Sequence, residues 1–202
     1  MVDFTGKKVI IFGGGAVGAR KARYFAKEAD VAVYSRSFHP EFQDISARQE
    51  VCTLSGDVET VRKMIHGSSL VIAATSDPEL NGTIQSACTL EKILCNVASG
   101  RAGDVALPAK ISGNQYTIAV STTRSVPAIS RLIREQLEEQ FPDLDELIEL
   151  GEWIRMTYRG KRTGPETYDS VLYQALRDPA VRKALSSGQN QAREYIMERF
   201  AI

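Results

Sequence analysis

Three glycines at G-x-G-x-x-G spacing, Gly13, Gly15 and Gly18, follow a β-branched apolar run, Lys8 to Phe12. They precede a helical stretch, Ala19 to Ala29, with Ala22, Phe25 and Ala26 at helical spacing. Strand, turn and helix in that order are what a dinucleotide-binding turn requires. Gly13 allows the tight turn and Gly15 lets the backbone approach a pyrophosphate. Gly18 lets the helix pack on the strand while its N-terminal amides face the anion. An NAD site of the usual kind also has an Asp or Glu about 20 residues on, holding the ribose hydroxyls. That place here reads Tyr34-Ser35-Arg36-Ser37. An Arg beside serines suits a 2′-phosphate, so this local chemistry leans toward NADP; the alternative is that Arg36 is a solvated loop residue or stacks on adenine.

The elements that must position these residues read as an α/β fold. Further apolar runs occur at Val31 to Tyr34, Val51 to Leu54 (weaker), Leu70 to Ala74 and Ile93 to Val97, with helical or polar segments between them. Such alternation builds a Rossmann-like parallel sheet. After Ala74, Asp77 can cap a helix with Pro78 at its first position, and the helix should run to about Leu90. Gln115 to Val120 reads as a last strand. Ser125, Val126 and Pro127 then open a helix with Ile129, Leu132, Ile133 and Leu137 on one face, and from Leu144 on the chain is mostly helical. The acid run from Glu135 to Glu152, which contains no Lys or Arg, reads as a solvated helix face, with a partner surface as the alternative.

Composition narrows the classes. Across 202 residues, 25 basic residues balance 25 acidic ones, so no charge excess points to nucleic acid. No stretch approaches the roughly 18 to 20 apolar residues of a membrane span. Cys52, Cys88 and Cys95 are an odd set without C-x-x-C spacing, suited to small core positions in a reducing compartment. The start of the chain lacks the features of a signal peptide, so a cytoplasmic location is expected. His39 and His66 stand without Cys or acid partners at ligand spacing, so no metal site is expected. The serines near Ala98 and at Ser121 have no nearby His to activate them as nucleophiles.

Taken together, several segments resemble one family by their order and spacing: Val9 to Arg23 (VIIFGGGAVGARKAR), Val71 to Asn81 (VIAATSDPELN), Cys95-Asn96-Val97, Leu107-Pro108, and Thr117 to Thr122 (TIAVST) leading to Pro127 and Arg131 to Glu135 (RLIRE). They resemble the precorrin-2 dehydrogenases of sirohaem biosynthesis, including the N-terminal module of multifunctional sirohaem synthases. The resemblance covers about residues 4 to 140. It implies a Rossmann-like NAD-binding domain over residues 1–113, a small dimerisation region over 114–143 and a helical C-terminal region over 144–202, in a homodimer. It also implies oxidation of a tetrapyrrole, precorrin-2, to sirohydrochlorin with NAD. Ala16, Val17, Arg36 and Ser37 match the family's NAD-contacting positions, and Ser35 and Thr75 join Gly13, Gly15 and Gly18 in the expected cofactor set. Because the family uses NAD without an acid after the second strand, the resemblance favours NAD over NADP.

The departures from the pattern concern the reacting centre. Many family members carry an Asp after the Asn-Val-Val segment, associated with dehydrogenation and with iron insertion, where this chain reads Ala98-Ser99. The acid of the following loop is Asp104. It is expected beyond the carboxyl end of a sheet strand, either as the base or as a loop acid bonded to nearby amides. Ser99 orients substrate or caps the turn. Precorrin-2 is a polycarboxylate, so Arg101 and Arg124 are expected as clamps, with Ser121 and Thr122 in the same substrate-binding set. Arg124 stands where the family usually has glycine. The expected activity is dehydrogenation with little ferrochelatase activity; the alternatives are a bifunctional enzyme and a nucleotide-sensing Rossmann module.

Overall fold

A computed structural model of the chain describes residues 2–98, 103–123, 126–158 and 168–200. Ser99, Arg101 and Arg124 therefore lie outside the described residues. The chain divides into two compact units, Met1–Leu107 and Pro108–Ile202.

In the first unit, β1 (Lys8–Phe12), β2 (Asp30–Ser35), β3 (Arg48–Val51), β4 (Leu70–Ala73) and β5 (Leu94–Val97) form one sheet in the order β3-β2-β1-β4-β5. Every neighbouring pair is parallel. Helices α1 (Ala16–Phe25), α2 (Val58–Ile65) and α3 (Pro78–Glu91) connect the strands, with a 3-10 turn at Pro40–Asp44. Alternation along β1 sends Val9 and Ile11 to the face covered by Ala19, Ala22 and Phe25 of α1. It sends Ile10 and Phe12 to the face covered by Val61 and Ile65 of α2 and Ile84 and Ala87 of α3. A strand covered on both faces needs an unbroken apolar run, which is why β1 was so plain in the sequence.

Edge strands follow different rules. β3 occupies Arg48–Val51, not the weak apolar run from Val51 to Leu54, and all four of its residues are exposed. An edge strand exposed on its faces is held by backbone pairing with β2 and leaves no hydrophobic signature. Helix α1 begins earlier than expected, directly after Gly15, and ends at Phe25.

In the second unit, β6 (Ala109–Ser112) and β7 (Thr117–Val120) form an antiparallel hairpin. The hairpin's first strand had no clear signal in the sequence. Its turn is tied to α5 (Leu144–Tyr158), because the Asp145 carboxylate accepts from Asn114 N and Gln115 N, each at 2.9 Å. The core of this unit gathers Leu147, Leu150 and Ile154 of α5 with Ala175 of α6 (Tyr168–Arg177), Val181 and Leu185 of α7 (Pro179–Leu185), and Ala192 and Ile196 of α8 (Gln189–Phe200). The acids from Glu135 on are mostly exposed, as a solvated face is, and some of them also carry partners. Glu135 and Glu138 pair with Arg131 and Arg134, and Asp143 pairs with Arg182. Helix α4 (Pro127–Gln140) has no buried residue, and Ile129 and Leu132 stand 44% and 50% exposed.

Candidate active site

Strand order reverses between β1 and β4, and open α/β sheets bind ligands outside the carboxyl ends of their strands at such a point. A cleft of about 680 Å³ opens there, within the first unit. It is lined by the glycine turn and the start of α1, by Ser35 to His39 after β2, by Cys52 to Leu54 after β3, and by Ala74 to Asp77 after β4.

The three glycines of the motif take three separate roles. Gly13 has φ +118°, and a Cβ there would overlap the Ala74 carbonyl. A Cβ on Gly18 would overlap the Gly13 carbonyl, so that glycine closes the helix onto the turn. A Cβ on Gly15 would meet nothing within 4 Å. Gly15 is also the residue from which α1 starts, with no side-chain cap and no acid in the first turn. A helix N-terminus left open in this way attracts an anion through its free amides and the helix dipole. The open space at Gly15, with Ala16 and Val17 exposed beside it, fits a pyrophosphate.

Gly14, which the motif leaves unspecified, proves as constrained as Gly13. A Cβ there would overlap the Ser37 carbonyl and stand 2.9 Å from the Ser35 side chain. His39 N donates to Gly14 O at 2.7 Å, so the loop after β2 folds back onto the glycine turn. Ser35, Arg36 and Ser37 line the cleft together with His39, Thr53 and Leu54, which sequence reasoning missed. Of the apolar run from Val51 to Leu54, Val51 ends β3 and the remaining three residues form part of the cleft wall. Cys52 lines the same wall; burial, and then the nearby Glu50, push its thiol above the ordinary range, so it is not a poised nucleophile.

Thr75 also lines the cleft, but its polar groups are engaged within the turn after β4. Its hydroxyl lies 2.8 Å from Asn81 Oδ1 and 3.0 Å from Asp77 O, and accepts from Asp77 N at 3.2 Å. Asp77 caps α3 by accepting from Glu79 N and Leu80 N, as its position before Pro78 predicted.

Asp104 lies along β5 and not beyond its carboxyl end. Its Oδ2 accepts from Cys95 N at 3.1 Å, Val105 N donates to Cys95 O at 3.1 Å, and Asn96 Nδ2 donates to Val105 O at 2.6 Å. The carboxylate is exposed and is not among the residues lining the cleft. One oxygen of Asp104 is thus engaged by an amide. Beneath it, Cys88 and Cys95 meet in the core. The Cys88 thiol is held far above its ordinary range, first by its hydrogen bond with Cys95 and then by burial. Ser121 and Thr122 follow β7 in the second unit. Among the described residues, no group of three or more His, Cys, Asp or Glu is placed to hold a metal ion.

Comparison with known proteins finds relatives along nearly the whole chain. Residues 1–109 match the model of a family described as putative NAD(P)-binding. A precorrin-2 dehydrogenase of Methanosarcina barkeri is 32% identical over 200 residues, covering 96% of this chain and 89% of that protein. A sirohaem synthase of Klebsiella pneumoniae is 33% identical over 135 residues, covering 66% of this chain and 29% of that longer protein. Among solved structures, SirC, a precorrin-2 dehydrogenase, superposes over 98% of both chains with a TM-score of 0.70 at 20% identity, a likeness of fold. With its dinucleotide-type cleft and a relative this similar over nearly its whole length, the chain belongs to the precorrin-2 dehydrogenase family.

Proposed function

We propose that this chain oxidises precorrin-2 to sirohydrochlorin with NAD as acceptor, in sirohaem biosynthesis. The observation that carries the cofactor is the open space at Gly15, at the head of an uncapped helix at the switch point of the sheet; the substrate follows from the precorrin-2 dehydrogenase matched over 96% of this chain. When bound, NAD accepts the hydride that leaves a substrate carbon. Gly15, Ala16 and Val17 face the pyrophosphate, and Gly13 and Gly18 shape the cofactor-binding turn that presents them. Ser35, Arg36 and Ser37 face the adenosine ribose, and Thr75 walls the other nucleotide half. With hydride passing to NAD, the second hydrogen leaves as a proton, for which Asp104 is the acceptor. One of its oxygens is anchored at the Cys95 amide. Ser99, Arg101, Ser121, Thr122 and Arg124 are assigned to the substrate, with Ser99 orienting it and the two Arg pairing with its carboxylates. The non-enzymatic sensing reading is not supported by relatives matched across both units.

Exposed Val126, Ile129 and Leu132 support α4, with β7, as the contact between two copies in a homodimer. On this reading residues 114–143 are the dimerisation region and 144–202 a helical appendage. Three cysteines without a disulfide among them suit a cytoplasmic location. No described helix is long and apolar enough to cross a membrane.

Anaerobic incubation with precorrin-2 and NAD tests the function: sirohydrochlorin and NADH should appear in equal amounts. Cofactor binding without turnover would overturn it. Asp104→Asn keeps an acceptor for the Cys95 amide but cannot take the proton, so it should slow turnover by about 100-fold. Ser99→Ala should cost less. With sirohydrochlorin and ferrous iron as substrates, sirohaem should form little faster than without enzyme.

A further inference from the structure

Among the described residues, the buried polar side chains are Ser68, Asn81 and Asn96. Ser68 closes the end of α2 by donating to Ile65 O, and Asn96 tethers the segment at Val105. Asn81 does something else. It lies in the opening turn of α3, 2% exposed, with its amide turned back to the end of β4. Thr75 N donates to Asn81 Oδ1 at 3.2 Å, and Asn81 Nδ2 donates to Thr75 O at 3.1 Å. One buried amide therefore satisfies both backbone polar groups of a single cleft residue. The peptide entering that residue is the one on which Gly13 rests, since a Cβ on Gly13 would overlap Ala74 O and stand 3.0 Å from Thr75 N.

We propose that Asn81 is a positioning residue for the nicotinamide half of the dinucleotide, acting through the Ala74–Thr75 peptide. The proposal rests on the reading of this cleft as an NAD site. The position that reads the adenosine ribose follows β2, so the adenosine half lies on the β2 side of the glycine turn, and the other half lies across the switch point at the exit of β4. That exit is the turn Asn81 holds. Removing the amide leaves Thr75 N–H and C=O without their partners, and the turn must move to recover them from water. Helix α3 keeps its own cap at Asp77, so the disturbance is confined to the turn and the cleft wall it forms.

Equilibrium binding of NAD and of ADP to the wild-type chain, Asn81→Ala and Asn81→Asp tests the proposal. ADP carries the adenosine and two phosphates without the nicotinamide half. In both variants the dissociation constant for NAD should rise about tenfold, while that for ADP stays within about twofold of wild type. Asn81→Asp keeps the shape and the acceptor oxygen but loses the Nδ2 donor, and serves if the Ala variant does not fold. Equal weakening of both ligands, or of neither, would overturn the positioning role. Failure of the wild-type chain to bind either ligand would instead overturn the dinucleotide reading of the cleft, and the proposal with it.

Discussion

After β1 the chain turns by steric exclusion, with Gly13, Gly14 and Gly18 packed so closely that no side chain fits at any of them. After β4 it turns by hydrogen bonds, with Asp77 capping the helix and Asn81 clamping Thr75. The two turns face each other at the switch point, and Gly13 rests directly on the Ala74 carbonyl. Close packing around a glycine tolerates no added atom, whereas a hydrogen-bonded turn loses its partners one at a time. Changes in the first turn should therefore act as all-or-none effects, and changes in the second as graded ones.

The largest effect is expected at Gly15. Gly15→Asp places a carboxylate where the anion must sit, so NAD binding should fall by more than about 100-fold. The fold should hold, because that position opens on empty space. A calorimetric titration alongside a melting curve separates the two; unchanged NAD affinity in a folded variant would break the assignment of this turn. Next come Gly18→Ala and Gly13→Ala, whose new methyl groups overlap backbone carbonyls. Each should cost about 2 to 3 kcal/mol in a urea titration, and a loss below about 0.5 kcal/mol would show that the turn can relax.

Smaller effects are expected on the β4 side. Asp77→Ala removes the α3 cap and should cost about 1 kcal/mol of stability while leaving ADP binding near wild type. Thr75→Ser keeps the hydroxyl and both backbone groups held by Asn81, so urea midpoints should show a change of only about a few tenths of a kcal/mol. A loss as large as that of Gly18→Ala would erase the distinction between the turns.

The same contrast explains what could be read in advance. Glycine spacing is local chemistry, and Gly13, Gly15 and Gly18 stand where the motif requires them. Strand β1 and the start of α3 at Pro78 were legible for a similar reason, since burial on both faces and a cap followed by proline each leave a continuous trace in a few adjacent residues. Strand β3 was misplaced because edge pairing makes no demand on hydrophobicity, and β6 was missed because a short hairpin strand carries few residues with a pattern. Asp145 and Asp143 looked like part of an acidic surface until their partners, the Asn114 and Gln115 amides and Arg182, were brought to them from distant positions.

Asp104 and Asn81 mark the division most clearly. From the chain alone, Asp104 was the acid available after β5, and Asn81 was one residue in a segment that carried a family resemblance. By itself the sequence determined the central strands of the first unit, the start of α3 and the glycine turn, because each depends on residues adjacent in the chain. Only the tertiary structure decided that Asp104 lies along β5 with one oxygen on the Cys95 amide, and that Asn81 reaches back to Thr75. The physical reason is that the worth of a polar side chain depends on which donors and acceptors share its burial, and those partners are gathered by packing rather than by sequence neighbourhood.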